Sequence, residues 1–316
     1  MDLCAAGRRC SGRRGQRLEA LTTTAREAGG LKYEEGIMTT INAFIKRNPV
    51  LTYFALTFAI SWGGILLVIG GPGGIPGTTE QTERLFPFVL LAMIAGPGLA
   101  SILMSGMIYG REGLRDLFLR QCRWRVNIRW YGAALLITPL LLTAIFAALT
   151  LISPVFMPGI ITASDKVILL GLSIAAGLAV GFFEELGWTG VAIPKMQMKH
   201  SAFATSIMLG VIWAIWHLLA DFWGGYVAYG GLYLPNYLLW VVALPAYRVL
   251  MVWVYNNTGS LLLAQLMHAS FTGSQYLLTP TALSVADDVL WYLIFTVTLC
   301  VVAVVVVSIY GKKRSI

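Results

Sequence analysis

Eight apolar runs, each close to the roughly 20 residues that a helix needs to cross a hydrocarbon core, limit what this chain can fold into more than any other feature. They lie at 50–71, 86–109, 131–153, 167–183, 201–223, 236–255, 259–278 and 288–310. Backbone groups inside a bilayer must be satisfied within the segment, so such runs are helices. The expected fold is all-α, a polytopic membrane bundle of about eight transmembrane helices. Composition agrees: 57% of the 316 residues are hydrophobic and 12% are charged, with mean hydropathy +0.74. No period of fixed length recurs, so the runs are not a repeat array.

Cations set the expected orientation, because short cytoplasmic loops are rich in Lys and Arg. Arg111, Arg115, Arg120, Arg123, Arg125 and Arg129 follow the second run, Lys195 and Lys199 follow the fourth, and Lys312, Lys313 and Arg314 follow the eighth. The alternate loops hold only Arg84 and Lys166. Both termini are therefore expected in the cytoplasm. The net charge of +8 is accounted for by this loop bias and by anionic headgroups, so the lipid bilayer is an expected partner and nucleic acid is not.

Four segments follow. Residues 1–37 read as a basic disordered leader with Arg8, Arg9, Arg13, Arg14 and Arg17; 38–49 as a cytoplasmic N-terminal segment; 50–310 as the eight-helix domain; and 311–316 as a basic cytoplasmic tail. The leader is either a presequence or a start-site misassignment, since the codons of "EEG" in "YEEGIM" can spell a bacterial ribosome-binding site just upstream of Met38. Cys4, Cys10, Cys122 and Cys300 show no spacing of a disulfide framework or thiolate metal site.

Ionisable groups inside the apolar runs cost free energy and carry a functional reading by default. They are Glu184 and Glu185 in "GFFEELGWTG", His217 and Asp221 in "IWAIWHLLADFW", Arg248 in "LPAYRVLMVW" and His268 in "LLLAQLMHASFTGS". Two of the chain's three histidines are among them. If the fourth and fifth helices turn back between His200 and Ser201, Glu184 and His217 each lie 16 steps from the turn, roughly 24 Å. That places them level, provided the fourth helix runs on through "LGWTGVAIPKMQ", with a bend expected at Gly187, Gly190 or Pro194. His268, about ten residues from the turn "NNTGS", comes to a similar depth. Glu184, His217 and His268 are expected to line one cavity open to the cytoplasm.

The same residues resemble the CAAX-protease and bacteriocin-processing (CPBP, or ABI) family of intramembrane proteases. Its pattern is Glu-Glu-x-x-x-Arg, an aromatic followed by x-x-x-His, and His-x-x-x-Asn; here stand "EELGWT", "WAIWH" with Trp213 at the aromatic position, and "HASFT". The motif arginine is Thr189 and the motif asparagine Thr272. The resemblance implies hydrolysis of a peptide bond in a membrane-associated peptide or protein, with Glu184, Glu185, His217, His268 and Thr272 as the catalytic set. Residue chemistry permits this. Glu184 suits a general base on water, His217 a water-holding group, and His268 with Thr272, one turn on, donors to an oxyanion. Glu185, about 100° around the helix, suits an orienting role.

Alternatives stay open beside this. A scaffold or immunity protein of the same fold would explain Thr189, and a proton- or cation-coupled transporter would use the same buried groups, although its internal symmetry is not seen. Asp221 reads as interfacial. Arg248 either pairs with a carboxylate across the bundle, standing in for the motif arginine, or snorkels inward. Trp213, Trp216, Trp223, Trp240 and Trp253 read as lipid-facing or belt residues, and "GGYVAYGGLYLP" as an outer loop, interfacial or gating. The cofactor is unknown: two histidines and a carboxylate suit zinc, yet the histidines come from different helices, so a metal-free glutamate mechanism is favoured. The expected location is a bacterial cytoplasmic membrane, multi-pass; the substrate is not specified.

Overall fold

A computed structural model describes residues 43–311. The leader's arginines, Cys4, Cys10, Met38 and the cations of the C-terminal tail lie outside the described residues. The chain divides into two units, 1–49 and 50–316. In the first, residues 43–47 form a helical turn.

The regular elements of the second unit are all helices among its described residues, as expected. Its long helices are α1 (Pro49–Ile69), α2 (Thr79–Gln121), α3 (Ile128–Thr150), α4 (Lys166–Gly187), α5 (Ala202–Tyr229), α6 (Tyr233–Thr258), α7 (Leu261–Leu278) and α8 (Val285–Tyr310). They coincide with the eight apolar runs. Among the described residues six helical stretches are long and apolar enough to cross a membrane: α5 and α6 form one continuous stretch, Ala202–Thr258, and α7 is not among the six. The sequence "LLLAQLMHASFTGSQYLL" shows why, because polar groups interrupt α7 at nearly every turn. Three of them, His268, Thr272 and Gln275, line the cavity described below.

Helix starts are encoded locally. The side chains of Thr78, Asn127, Asp165, Ser201, Ser260 and Ser284 each accept a hydrogen bond from a backbone N–H of the first turn, satisfying donors that a helix leaves open. Gly259 closes α6 in the left-handed region at φ 61°, as a glycine after a helix does. In α2, Gly110 at φ 58° breaks the helix, separating its membrane part from "REGLRDLFLRQ", the arginine-rich segment read as a cytoplasmic loop.

Two packing features place the site. α7 packs on α4 and α3, α4 also on α2, and α6 on α5 and α8. At the α4–α7 contact the pattern "GLAVG" presents Gly177 and Gly181 to the partner backbone; a Cβ on Gly177 would sit 2.5 Å from the Ala269 carbonyl oxygen. Small residues four apart let two membrane helices approach this closely. This spacing escaped the sequence reading, and it is what brings the Glu184–Glu185 turn beside His268.

The second feature lies just beyond the glutamates. α4 continues, as expected, but as a π-helical turn over Trp188–Ala192 and a last α-turn over Ile193–Met196. The Ile193 N–H bonds the Trp188 carbonyl, five residues back, and Pro194 has no N–H to carry on an α-pattern. The expected bend is thus a π-bulge, a form that recurs at functional sites. The segment written as an outer loop, 224–235, is instead helical, the end of α5 and start of α6 joined through Gly230–Leu232.

Candidate active site

Neighbours in sequence, Glu184 and Glu185 face different surroundings. Glu184 is 2% exposed, and its Oε2 accepts two indole N–H bonds, from Trp188 at 3.1 Å and from Trp213 at 2.9 Å. It lines a cavity of about 380 Å³, within the usual range for a small-ligand site. Glu185 is fully buried. Arg248 Nη1 donates to both its oxygens, at 3.0 and 2.8 Å; Thr189 donates its hydroxyl, and His268 Nδ1 lies 2.8 Å from Oε1. An ionised carboxylate accepts only, so this His268 nitrogen carries the proton.

These contacts decide between the two roles left for Arg248. It does not snorkel: it is fully buried, paired with Glu185, and its guanidinium carbon lies 4.3 Å from the centre of the Trp213 ring, a cation–π distance. Thr189, one turn after Glu185, occupies the motif arginine's position and supplies a hydroxyl where the motif supplies a cation. Arg248 brings that cation to the same carboxylate from α6.

The cavity gathers the expected groups from three helices: Glu184 from α4, His217 from α5, and His268 with Thr272 from α7. Glu185 is not in its lining. It sits behind, in contact with His268. The His217 ring packs against Trp216, Trp240 and Trp213, at 4.9, 5.4 and 6.0 Å between ring centres, and its Nε2 has no hydrogen-bond partner among the described residues. Asp221 is absent from the cavity lining.

The tryptophans correct the sequence reading. Trp213, Trp216 and Trp223 are buried to 1% exposure or less, and Trp240 lines the cavity; none of these faces lipid as a belt residue would. Trp253 is half-buried against Trp130 and Tyr310. Belt statistics describe membrane aromatics in general, whereas the Trp213 N–H has a buried carboxylate to satisfy. Leu90, Met93, Val180, Phe271, Gln275, Tyr276 and Thr279 complete the lining and were not singled out from sequence. Gln275 and Thr279 were legible in principle, since they continue the face of His268 and Thr272 at helical spacing. Among the described residues no group of three His, Cys, Asp or Glu side chains is placed to hold a metal ion.

Residues 166–274 match the model of the Rce1-like family, described as type II CAAX prenyl endopeptidase Rce1-like. That stretch is similar to the CAAX-protease (CPBP) family. It contains α4, α5, α6 and nearly all of α7, and with them all three motif segments. A protein from Methanococcus maripaludis named CAAX prenyl protease 2 is 24% identical over 248 residues, covering 75% of this chain and 87% of its own length. Both likenesses support an intramembrane protease, and the apolar helices a multi-pass membrane protein.

Proposed function

We propose that the chain is an intramembrane endopeptidase that hydrolyses a peptide bond of a membrane-associated peptide or protein with a water activated by Glu184. The observation that carries this reading is the division between the glutamates: one lines an apolar cavity with His217, His268 and Thr272, while its neighbour is locked by Arg248, Thr189 and His268. A site for binding a cation has no use for that separation. A hydrolytic site needs one carboxylate to react and another to position.

In this mechanism Glu184 takes a proton from water as the oxygen attacks the carbonyl carbon, then returns it to the amine as the C–N bond breaks. The two indole donors on Oε2 fix the carboxylate and leave Oε1 for the water. His217 Nε2, without a protein partner, holds that water from the other side. Because His268 gives its Nδ1 proton to Glu185, its Nε2 donates to the oxyanion only when the ring carries both protons. The Thr272 hydroxyl is the second oxyanion donor.

The argument for a silent scaffold was the missing motif arginine, and the Arg248–Glu185 pair weakens it. The name of the archaeal relative makes a prenylated C-terminal peptide the first substrate class to try. Purified protein in detergent is given quenched-fluorescent membrane-associated peptides, farnesylated and not, with Glu184→Gln as the control. Cleavage that Glu184→Gln abolishes is expected. Equal cleavage by both proteins, or none by either, would count against the reading.

A further inference from the structure

The polar side chains of α7 fall into two classes. Those outside the cavity lining are satisfied by protein: Gln265 donates to the Phe182 carbonyl at 3.2 Å and accepts from Gln121, Ser270 donates to the Leu135 carbonyl at 2.8 Å, and Ser274 to that of Ser270, on its own helix, at 2.6 Å. Those turned into the cavity, Thr272, Gln275 and Thr279, make no side-chain hydrogen bond among the described residues. A primary amide without a protein partner in a cavity wall of mostly apolar side chains takes water or a ligand as its partner, because leaving it unpaired costs free energy.

From this we infer that Gln275 is a binding subsite for the main chain of an extended peptide, an inference that rests on the peptidase reading. The spacing fits. Gln275 is seven residues beyond His268, roughly 10 Å along the helix, which is about three residues of extended chain at ~3.3 Å each. Thr279, four residues further, adds about 6 Å, close to the two-residue repeat at which an extended chain presents its groups on one side. A carboxamide carries a donor and an acceptor side by side, matching the N–H and C=O of a peptide unit. Cleavage therefore requires an unfolded segment reaching about three residues from the scissile bond toward Gln275, where the enzyme reads backbone and not side chain.

The probe is a dansyl-labelled hydrophobic peptide and a set of copies in which each backbone N–H in turn is N-methylated. Binding is measured to the Glu184→Gln protein, with and without Gln275→Met, an unbranched apolar replacement of similar length. One lost hydrogen-bonding partner corresponds to about 5- to 10-fold weaker binding. That loss is expected with Gln275→Met on the parent peptide, and with methylation at one position about three residues from the scissile bond. On that one methylated peptide, Gln275→Met should make no further difference. In the Glu184-intact enzyme, Gln275→Met should raise KM and leave kcat unchanged, the signature of binding common to ground and transition states. Equal affinities with and without Gln275→Met, or an effect undiminished on every methylated peptide, would overturn the subsite. The two readings separate cleanly. Methylation dependence without hydrolysis removes the peptidase and keeps the subsite; hydrolysis without Gln275 dependence does the reverse.

Discussion

Replacing Arg248 by leucine takes away the cation that faces Glu185 in a place without solvent, since both side chains are fully buried. Removing one partner of such a pair leaves an uncompensated charge, at a cost of about 3–5 kcal/mol. For a chain of this size that corresponds to a fall in unfolding temperature on the order of 10 °C. The cost arises from the stranded charge more than from lost attraction, so Glu185→Gln combined with Arg248→Leu should recover most of it. Thr189 lies one turn from Glu185 and donates to it, so Thr189→Arg in the Arg248→Leu background puts the cation back at the motif position and should also recover stability. Thr189→Arg alone, with two cations on one carboxylate, should not help. Unfolding is followed in detergent by tryptophan fluorescence. An Arg248→Leu protein that unfolds within about 1 °C of the parent, or one that neither companion change rescues, would refute the claim that Arg248 is the counter-ion of Glu185.

Four further outcomes are expected. Gly181→Val should destabilise by about 1–3 kcal/mol through overpacking at the α4–α7 contact, while Gly171→Val, whose added Cβ meets nothing within 4 Å, should leave unfolding unchanged. Thr272→Val should lower kcat by about one to three orders of magnitude, as for loss of an oxyanion donor, and Thr272→Asn should stay active in the same peptide assay. Cysteine labelling in intact cells should place the Arg111–Arg129 segment and the C-terminal tail on the cytoplasmic side; labelling from opposite sides would break the orientation argument. Activity should survive exhaustive chelation and dialysis, and recovery only on adding a stoichiometric divalent ion would make the site metal-dependent.

Residues whose burial is itself costly were the legible ones. Glu184, His217 and His268 stood out because an ionisable group in an apolar run demands a partner, and helix arithmetic alone put them at one depth. The same arithmetic does not say which way a helix faces. Arg248 could be read as paired or snorkelling because the choice depends on the rotation of α6 against α5 and α8, a property of packing. The tryptophans were misplaced for a related reason: an indole suits lipid and interior alike, and only the nearby carboxylate tells them apart. The glycines of "GLAVG" were visible as a small-residue pattern, but their meaning required knowing that α7 was the neighbour.

The π-turn at Trp188–Ala192 bears on how this protein tolerates change along its chain. It takes up one residue more than an α-turn would, so the helix on its two sides need not share a phase. The glutamate side is set by Gly177 and Gly181 against α7, the other by Lys195 donating to the Tyr109 hydroxyl and Gln197 donating to Asn256. Deleting one residue between 188 and 192 should let the segment relax to an ordinary α-helix with both flanks near their present facing, whereas a one-residue deletion elsewhere in the helix would turn one side against the other by about 100°. An insertion or deletion in the loop 197–200 would shift nothing in phase with the site. The chain thus keeps its chemistry and the far end of this helix in separate registers, with a five-residue buffer where they meet.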